Sequence, residues 1–173
     1  MKILVFLHGT SIMHRTAVGR SREERVKQVK AKDPSVYDYA TYVPVDGVVN
    51  KLKIWQKQGA EIVYLSSHKI RKSIEKDKLV LEKYHFPKGE VYYRKRGEDY
   101  KDVAERIIPD VLIEDDCESI GGEKEMTYTY IDPEIKRKIK LIIVKEFEGI
   151  DHLSESLQKL VDQESHKNLS RNV

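Results

Sequence analysis

The amino-terminal segment constrains the fold most, because an uninterrupted apolar run from Ile3 to Leu7 ends abruptly at His8-Gly9-Thr10. Continuous apolarity without alternation is typical of a strand covered on both faces, as in a parallel sheet flanked by helices. The run is too short for a helix, and Gly9 ends it. In open α/β sheets, ligands bind beyond the carboxyl ends of the strands. We therefore expect His8, Gly9 and Thr10 to lie at any functional site.

Four further strands are predicted, and they alternate with helices along the chain. Ile62 to Leu65 forms the second strand, and shorter apolar segments follow at 91–93, 111–113 and 141–144. The spacing of apolar residues predicts helices at about 46–58, 70–84, 99–107 and 151–161. This alternation favours a three-layer α/β fold, in which a five-stranded, mainly parallel, Rossmann-like sheet has helices on both faces.

Helical periodicity also predicts the buried faces of two helices. In the helix at 70–84, the inner surface is expected to comprise Ile70, Ile74, Leu79, Leu81 and Tyr84. In the closing helix at 151–161, the inward residues are expected to be Leu153, Leu157 and Leu160.

Residues 11–44 form a small basic insertion, or cap, after the first strand. His14 to Lys32 contains seven Lys or Arg residues against two Glu residues. Ser21-Arg22-Glu23-Glu24 fits a capping box, so a basic helix is predicted to begin there and to end at about Lys32. This helix is either a solvated surface element or a cover whose arginines contact an anionic ligand.

Length and composition indicate one soluble domain. We expect a single core over residues 1–163 and a flexible tail over 164–173. The only cysteine, Cys117, excludes an intrachain disulfide and a CxxC metal site, and it favours a cytoplasmic protein. The apolar run is too short to span a membrane, and no targeting signal follows it. A charged fraction of 35 %, with few Asn and Gln, is typical of thermophile proteins.

Polar residues follow three of the predicted strands. His8 follows the first strand, Ser66-Ser67-His68 follows the second, and Glu114-Asp115-Asp116 follows the fourth. The carboxyl ends of parallel strands meet at one edge of a sheet, so these side chains are expected to lie close together.

These motifs, in this order, resemble those of the haloacid-dehalogenase-like superfamily over roughly residues 1–10 and 45–145. Members begin with an apolar strand and Asp-x-Asp-Gly-Thr, a place that Phe6-Leu7-His8-Gly9-Thr10 occupies here. The resemblance implies a sheet in the order 5-4-1-2-3. The later motifs are matched by Ser66 or its neighbour Ser67, by Lys101 or alternatively Lys95, and by Asp115 together with Glu114 or Asp116.

Both aspartates of the first motif are missing, which changes the chemistry that the resemblance implies. In the superfamily the first aspartate attacks phosphorus and becomes an aspartyl-phosphate, and the second acts as acid and base. Phe6 has no nucleophilic or metal-binding atom. His8 can still exchange protons near neutral pH, and a direct nucleophilic role for His8 is a further alternative.

The remaining residues suit anion binding. Ser66 and Ser67 can donate hydrogen bonds, Lys101 can neutralise charge, and the backbone amides of Gly9 and Thr10 can face an oxyanion. The expected catalytic set is His8, Lys101 and Asp115.

The same sheet edge can hold a divalent metal, either Mg²⁺ or a transition metal such as Zn²⁺ or Mn²⁺. The expected ligands are His8, Asp115 and Asp116, with His68 and Glu114 as further candidates. A mixture of imidazole and carboxylate ligands suits a transition metal better than it suits Mg²⁺.

Three functions follow from the sequence. The first is a domain that lacks the aspartyl nucleophile and binds a phosphate, another anion or a metal without ordinary catalysis. The second is an atypical metal-dependent phosphatase or nucleotidase that acts on small phosphate esters. The third is an interaction or nucleic-acid-binding module that uses the basic insertion, although a formal charge of +3 is small for a dedicated nucleic-acid binder.

Overall fold

The computed structural model describes residues 1–162, and its centre is a five-stranded parallel sheet. The sheet strands are β1 (Lys2–Phe6), β4 (Glu61–Leu65), β5 (Val91–Tyr92), β6 (Val111–Asp115) and β7 (Lys140–Val144). Their spatial order is β5-β4-β1-β6-β7, and every neighbouring pair is parallel. The α/β class and the predicted strand order are therefore confirmed. The expected tail at 164–173 lies outside the described residues.

Strand β1 is central because its residues pair with β4 on one side and β6 on the other. Leu4, for example, aligns with Val63 and with Leu112. Ile3, Val5 and Leu7 contribute to the apolar core on one face of the sheet, whereas Leu4 contributes to the core on the other face. All four side chains are fully buried, as the continuous apolar run predicts.

Seven α-helices are present in the described part of the chain. They are α1 (Arg22–Lys30), α2 (Val48–Lys57), α3 (Arg71–Lys83), α4 (Tyr100–Ile107), α5 (Thr127–Tyr130), α6 (Pro133–Lys136) and α7 (Leu157–Asp162). Helix α2 packs Leu52 and Trp55 into the first core, and α4 packs Val103 and Ala104 into the second. None of the described helices is long and apolar enough to cross a bilayer.

Two helix predictions need correction. Ile70 and Leu79 are 69 % and 63 % exposed, and the buried face of α3 instead contains Asp77 between Ile74 and Leu81. Tyr84 follows the last residue of α3 and is partly buried against the core.

The closing helix begins at Leu157 rather than at residue 151. Side chains of α2 donate hydrogen bonds to backbone carbonyl groups of the segment that precedes α7. Lys51 Nζ donates to the Leu153 carbonyl at 2.6 Å, and Trp55 Nε1 donates to the Ser154 carbonyl at 2.9 Å. Leu153, Leu157 and Leu160 are nevertheless buried, as predicted.

The insertion is held at its base by a two-stranded antiparallel ribbon of β2 (Ile12–Met13) and β3 (Val43–Pro44). The sequence pattern does not predict this ribbon, because each strand has only two residues. The capping box of Ser21 and Glu24 is present at the start of α1, as expected. Three 3-10 turns, Arg15–Ala17, Pro34–Tyr37 and Tyr39–Thr41, complete the insertion.

His14 lies inside the insertion and does not line the cleft at the strand ends. It is fully buried, its Nε2 lies 3.1 Å from Gln28 Oε1, and its ring contacts Tyr42 and Phe147. Burial lowers the pKa of His14 below its ordinary value of 6.5, an effect that the Gln28 hydrogen bond partly opposes.

This burial predicts that acid destabilises the fold through His14. The unfolded chain binds a proton at about pH 6.5 while the folded state resists it, so the free energy of unfolding falls as the pH drops below that value. We expect His14→Gln to reduce this loss in urea unfolding between pH 7.5 and 5. The control His152→Gln alters an exposed ring and should leave the wild-type pH dependence intact. If the free energy of unfolding fell equally in His14→Gln and in the wild type, the prediction would be contradicted.

Candidate functional site

A cleft of about 250 Å³ lies at the carboxyl edge of the sheet. Phe6 and His8 at the end of β1, Ser67 after β4, Asp115 at the end of β6 and Glu146 after β7 contribute to its walls. The insertion covers one side through Val29, Val36, Tyr39 and Tyr42.

The first group of side chains in this cleft surrounds His8. Its Nδ1 lies 2.6 Å from Ser67 Oγ, and its Nε2 lies 3.2 Å from Asp77 Oδ1. Asp77 is completely buried and also accepts a 2.6 Å hydrogen bond from Ser66 Oγ. The His68 ring centre is 4.8 Å from that of His8, and Tyr39 contacts both rings. Burial is the main cause that lowers the pKa of His68.

The second group, which we call the acidic cluster, consists of Asp115, Asp116 and Glu146. One carboxylate oxygen of each lies within 4.8 Å of the other two. Burial raises the pKa of Glu146 to about 7, and the charges of Asp115 and Asp116 reinforce the effect. Burial also raises the pKa of Asp115, with a contribution from Asp116. These carboxylates repel one another at a site with little access to water. Their negative charges would therefore stabilise a bound cation.

The loop after β1 supports the acidic cluster. Thr10 Oγ1 donates to Asp115 Oδ2 at 2.8 Å, and Gly9 has a positive φ of 85°. A Cβ atom at Gly9 would lie only 2.8 Å from Asp115 Oδ2, so a larger residue would displace that carboxylate. The Gly9 amide donates to the Ile12 carbonyl at 3.1 Å. The expectation that this amide faces a ligand oxyanion is therefore wrong.

Glu114 and Ser66 have hydrogen-bond partners that limit their predicted roles in binding a metal and an anion. Glu114 accepts hydrogen bonds from the backbone amides of Thr127 and Tyr128 at the start of α5, and burial raises its pKa to about 7. Ser66 Oγ is held by Asp77 and by the amide of His68. These bonds place Glu114 at a helix start and make Ser66 a support for Asp77.

The predicted lysine lies beside the cleft rather than in it. Lys101 lines a second cavity of about 350 Å³, which also contains Arg94 and Lys124. Tyr100 and Glu125 border both cavities, so the two are neighbours. The Arg94 guanidinium stacks 3.7 Å from the centre of the Tyr100 ring and donates to the Ser67 carbonyl at 2.9 Å.

The basic insertion contacts the protein's own acids. Arg22 pairs with Glu118 at 2.5 Å and lies 3.7 Å from Asp116. Arg25 donates to the Phe147 carbonyl at 2.8 Å and pairs with Asp46. These contacts give both arginines intramolecular roles and leave the nucleic-acid alternative without specific support.

Cys117 borders the cleft but is a poor nucleophile. Burial, with the neighbouring charges of Asp115 and Glu114, raises the pKa of its thiol well above the ordinary value.

The structure thus separates the predicted metal ligands into two groups and adds two residues. His8 and His68 lie with Asp77, whereas Asp115 and Asp116 lie with Glu146. Asp77 could have been recognised as a charged residue at helical spacing between Ile74 and Leu81. Glu146 could have been recognised as an acid just after the strand that neighbours β6.

Comparisons with known proteins bear on the fold. No family model and no curated protein matches the chain. A solved structure of the class C acid phosphatase from Bacillus anthracis with tungstate bound is similar over 99 % of this chain and 80 % of that one, with a TM-score of 0.52 and 14 % identity. A chain in the Pnkp1/Rnl/Hen1 complex is similar over 84 % of this chain, with a TM-score of 0.53 and 17 % identity.

The present chain aligns with only 46 % of that second structure's chain. The acid phosphatase is a haloacid-dehalogenase-like protein, and the strand order described above agrees with that architecture. At sequence identities of 17 % and 14 %, the similarity to these two structures concerns the fold alone. The chain therefore has the haloacid-dehalogenase-like fold.

Proposed function

We propose that this protein is an atypical phosphohydrolase that depends on a divalent metal and acts on small phosphate esters. The proposal rests on the positions of His8, Asp115 and Glu146, which line one cleft at the carboxyl edge of the sheet, with Asp116 beside the two acids. The similarity to a phosphatase fold supports the substrate class.

The motif resemblance assigns Phe6 to the place of the aspartyl nucleophile, so the proposed reaction does not begin with an aspartyl attack. Phe6 lines the cleft and contacts the Tyr100 ring with centres 5.3 Å apart. A phenyl ring cannot form a phosphoryl-enzyme bond or bind a cation as a carboxylate does. Any turnover must therefore use other side chains of the cleft.

Asp115, Asp116 and Glu146 have the chemistry of a divalent cation site. Their donors are all carboxylate oxygens, which favours Mg²⁺ or Mn²⁺ over a metal that prefers imidazole. The raised pKa values of Asp115 and Glu146 show the electrostatic cost that a cation would relieve. A cation bound there would polarise a phosphoryl oxygen and offset the negative charge of the ester.

His8 is placed to transfer protons in the same cleft. One ring nitrogen faces the buried Asp77 carboxylate, which fixes the orientation of the ring, and the other faces Ser67. Such a carboxylate-oriented histidine is suited to general acid and base catalysis. Lys101, Arg94 and Lys124 in the neighbouring cavity can attract the anionic part of the substrate.

The alternative is a domain that binds a metal and an anion without turnover. The replacement of the nucleophile by Phe6 is the specific observation in its favour. Metal binding is common to both functions, and hydrolysis separates them.

Divalent cation binding is the first prediction of this proposal. Mg²⁺ or Mn²⁺ should raise the thermal unfolding temperature of the wild type, because a ligand present at 100 times its Kd adds about 2.7 kcal/mol to the stability. Asp115→Asn and Glu146→Gln should abolish the shift, whereas the exposed control Glu155→Gln should retain it. An equal shift in the Asp115→Asn/Glu146→Gln double variant would show that the acidic cluster does not bind the cation.

Hydrolysis of p-nitrophenyl phosphate in the presence of Mg²⁺ or Mn²⁺ is the second prediction. His8→Gln should lower kcat at least about 100-fold, since it removes the proton-transfer group, and it should leave the cation-induced thermal shift unchanged. His152→Gln is the matched control. A wild-type rate no higher than that of Asp115→Asn would support the binding-only alternative. A wild-type rate in His8→Gln would exclude the role of His8.

A further inference from the structure

Ser67, His8 and Asp77 form a continuous hydrogen-bonded chain that runs from the cleft into the core. Ser67 Oγ lies 2.6 Å from His8 Nδ1, and His8 Nε2 lies 3.2 Å from Asp77 Oδ1. Ser67 lines the cleft, the His8 side chain is 15 % exposed, and Asp77 is fully buried. A hydroxyl, an imidazole and a carboxylate in this sequence are the parts of an activated serine nucleophile.

The hydrogen bonds determine which nitrogen of His8 is the base. The Ser67 amide also points at Nδ1, at 3.4 Å, and an amide can only donate. Nδ1 is therefore the unprotonated nitrogen, and the Nε2–H group donates to Asp77. In this tautomer the lone pair of Nδ1 faces the Ser67 hydroxyl, as a general base must.

Neighbouring groups hold both ends of this chain in place. Asp77 Oδ2 accepts the Ser66 hydroxyl at 2.6 Å, and the same hydroxyl accepts the His68 amide at 3.0 Å, so the turn that carries Ser67 is tied to Asp77. The Ser67 carbonyl accepts hydrogen bonds from Arg94 at 2.9 Å and from the Tyr100 hydroxyl at 3.3 Å. Ser67 thus lines the cleft from a backbone that these hydrogen bonds hold in place.

We propose that Ser67 is the nucleophile of this protein, activated by His8 and oriented by Asp77, in place of the aspartate that Phe6 replaces. The choice of a phosphate monoester as substrate rests on the proposed function above. The assignment of Ser67 as the nucleophile rests on the hydrogen bonds that connect Ser67, His8 and Asp77.

The reaction balances without a further reactant except water. Ser67 Oγ attacks phosphorus while its proton passes to His8 Nδ1, the ester P–O bond breaks, and His8 gives the proton to the departing alkoxide. Water then attacks the phosphoseryl group and gives one proton to His8. The bond between phosphorus and Ser67 Oγ breaks, and Ser67 recovers a proton from His8.

The cluster of His8, His68 and Asp77 also has the composition of a metal site. Both ring nitrogens of His8 are, however, already engaged, one by Asp77 and the other by Ser67. A metal bound by His8 would have to replace one of these bonds and would dismantle the chain. Binding of Zn²⁺ therefore opposes the nucleophile proposal and serves as one of its tests.

A fluorophosphonate probe tests the nucleophile without knowledge of the natural substrate. It forms an O–P bond with an activated serine and releases fluoride. Peptide mass spectrometry of the labelled wild type should find one adduct, at Ser67. Identification of the labelled residue uses only the wild type. It therefore tests the proposal even if the Asp77→Asn variant does not fold.

Variants then test whether His8 and Asp77 activate Ser67. Ser67→Ala should lose the adduct, and His8→Gln and Asp77→Asn should slow labelling at least about 100-fold. Ser73→Ala, which alters a serine on α3 outside the chain of bonds, should label like the wild type. No adduct at Ser67, an unchanged rate in His8→Gln, or stoichiometric Zn²⁺ lost in His68→Gln would overturn the proposal.

The same proteins separate this inference from the proposed function. Hydrolysis of p-nitrophenyl phosphate at the wild-type rate by Ser67→Ala would overturn the nucleophile and leave metal-dependent hydrolysis intact. Labelling of Ser67 that depends on His8, without hydrolysis of the phosphate ester under any cation, would support the nucleophile and overturn the substrate class.

Discussion

The parallel pairing of β1 with both β4 and β6 is the constraint on which the rest of the structure depends. It brings the carboxyl ends of the strands to one edge, where Asp115 ends β6 and where His8, Ser67 and Glu146 each lie two residues after a strand. The short distance along the chain from a paired strand limits where each of these side chains can lie. A shift of one residue in β1 would turn His8 away from the cleft and carry Leu7 out of the core.

The two sides of the cleft differ in their electrostatic balance. Around His8 the polar atoms are paired with one another through Asp77, Ser66 and Ser67. In the acidic cluster, Asp115 and Glu146 are buried and accept hydrogen bonds from Thr10 and from Ser119, Asp116 is partly exposed, and the nearby Arg22 is shared with Glu118. Burial raises the pKa of Asp115 and of Glu146, as expected for carboxylates that are removed from water. The structure thus holds a hydrogen-bonded chain of Ser67, His8 and Asp77 and a separate group of three carboxylates.

Much of the fold could be predicted from the sequence because β1, β4 and β6 are buried apolar runs with polar residues at their carboxyl ends. Ser21 likewise marked the start of α1 through a local capping signal. The position of Asp77 cannot be predicted from hydrophobicity, which places Ile70 and Leu79 inside and a charge outside. Glu146 carries no motif signal, because the pattern of acids at a strand end covers only residues 114–116. The separation of His8 from Asp115, and the position of Lys101 in a neighbouring cavity, depend on side-chain directions that no sequence motif specifies.

We propose different roles for the two groups: the acidic cluster binds a cation, and the His8 chain transfers protons. Anomalous diffraction from crystals soaked in Mn²⁺ distinguishes these roles, because the metal position identifies its ligands. We expect a peak among the carboxylates of Asp115, Asp116 and Glu146, with the hydrogen bonds of His8 to Ser67 and Asp77 intact. A peak between His8, His68 and Asp77, with none at the acidic cluster, would contradict this proposal.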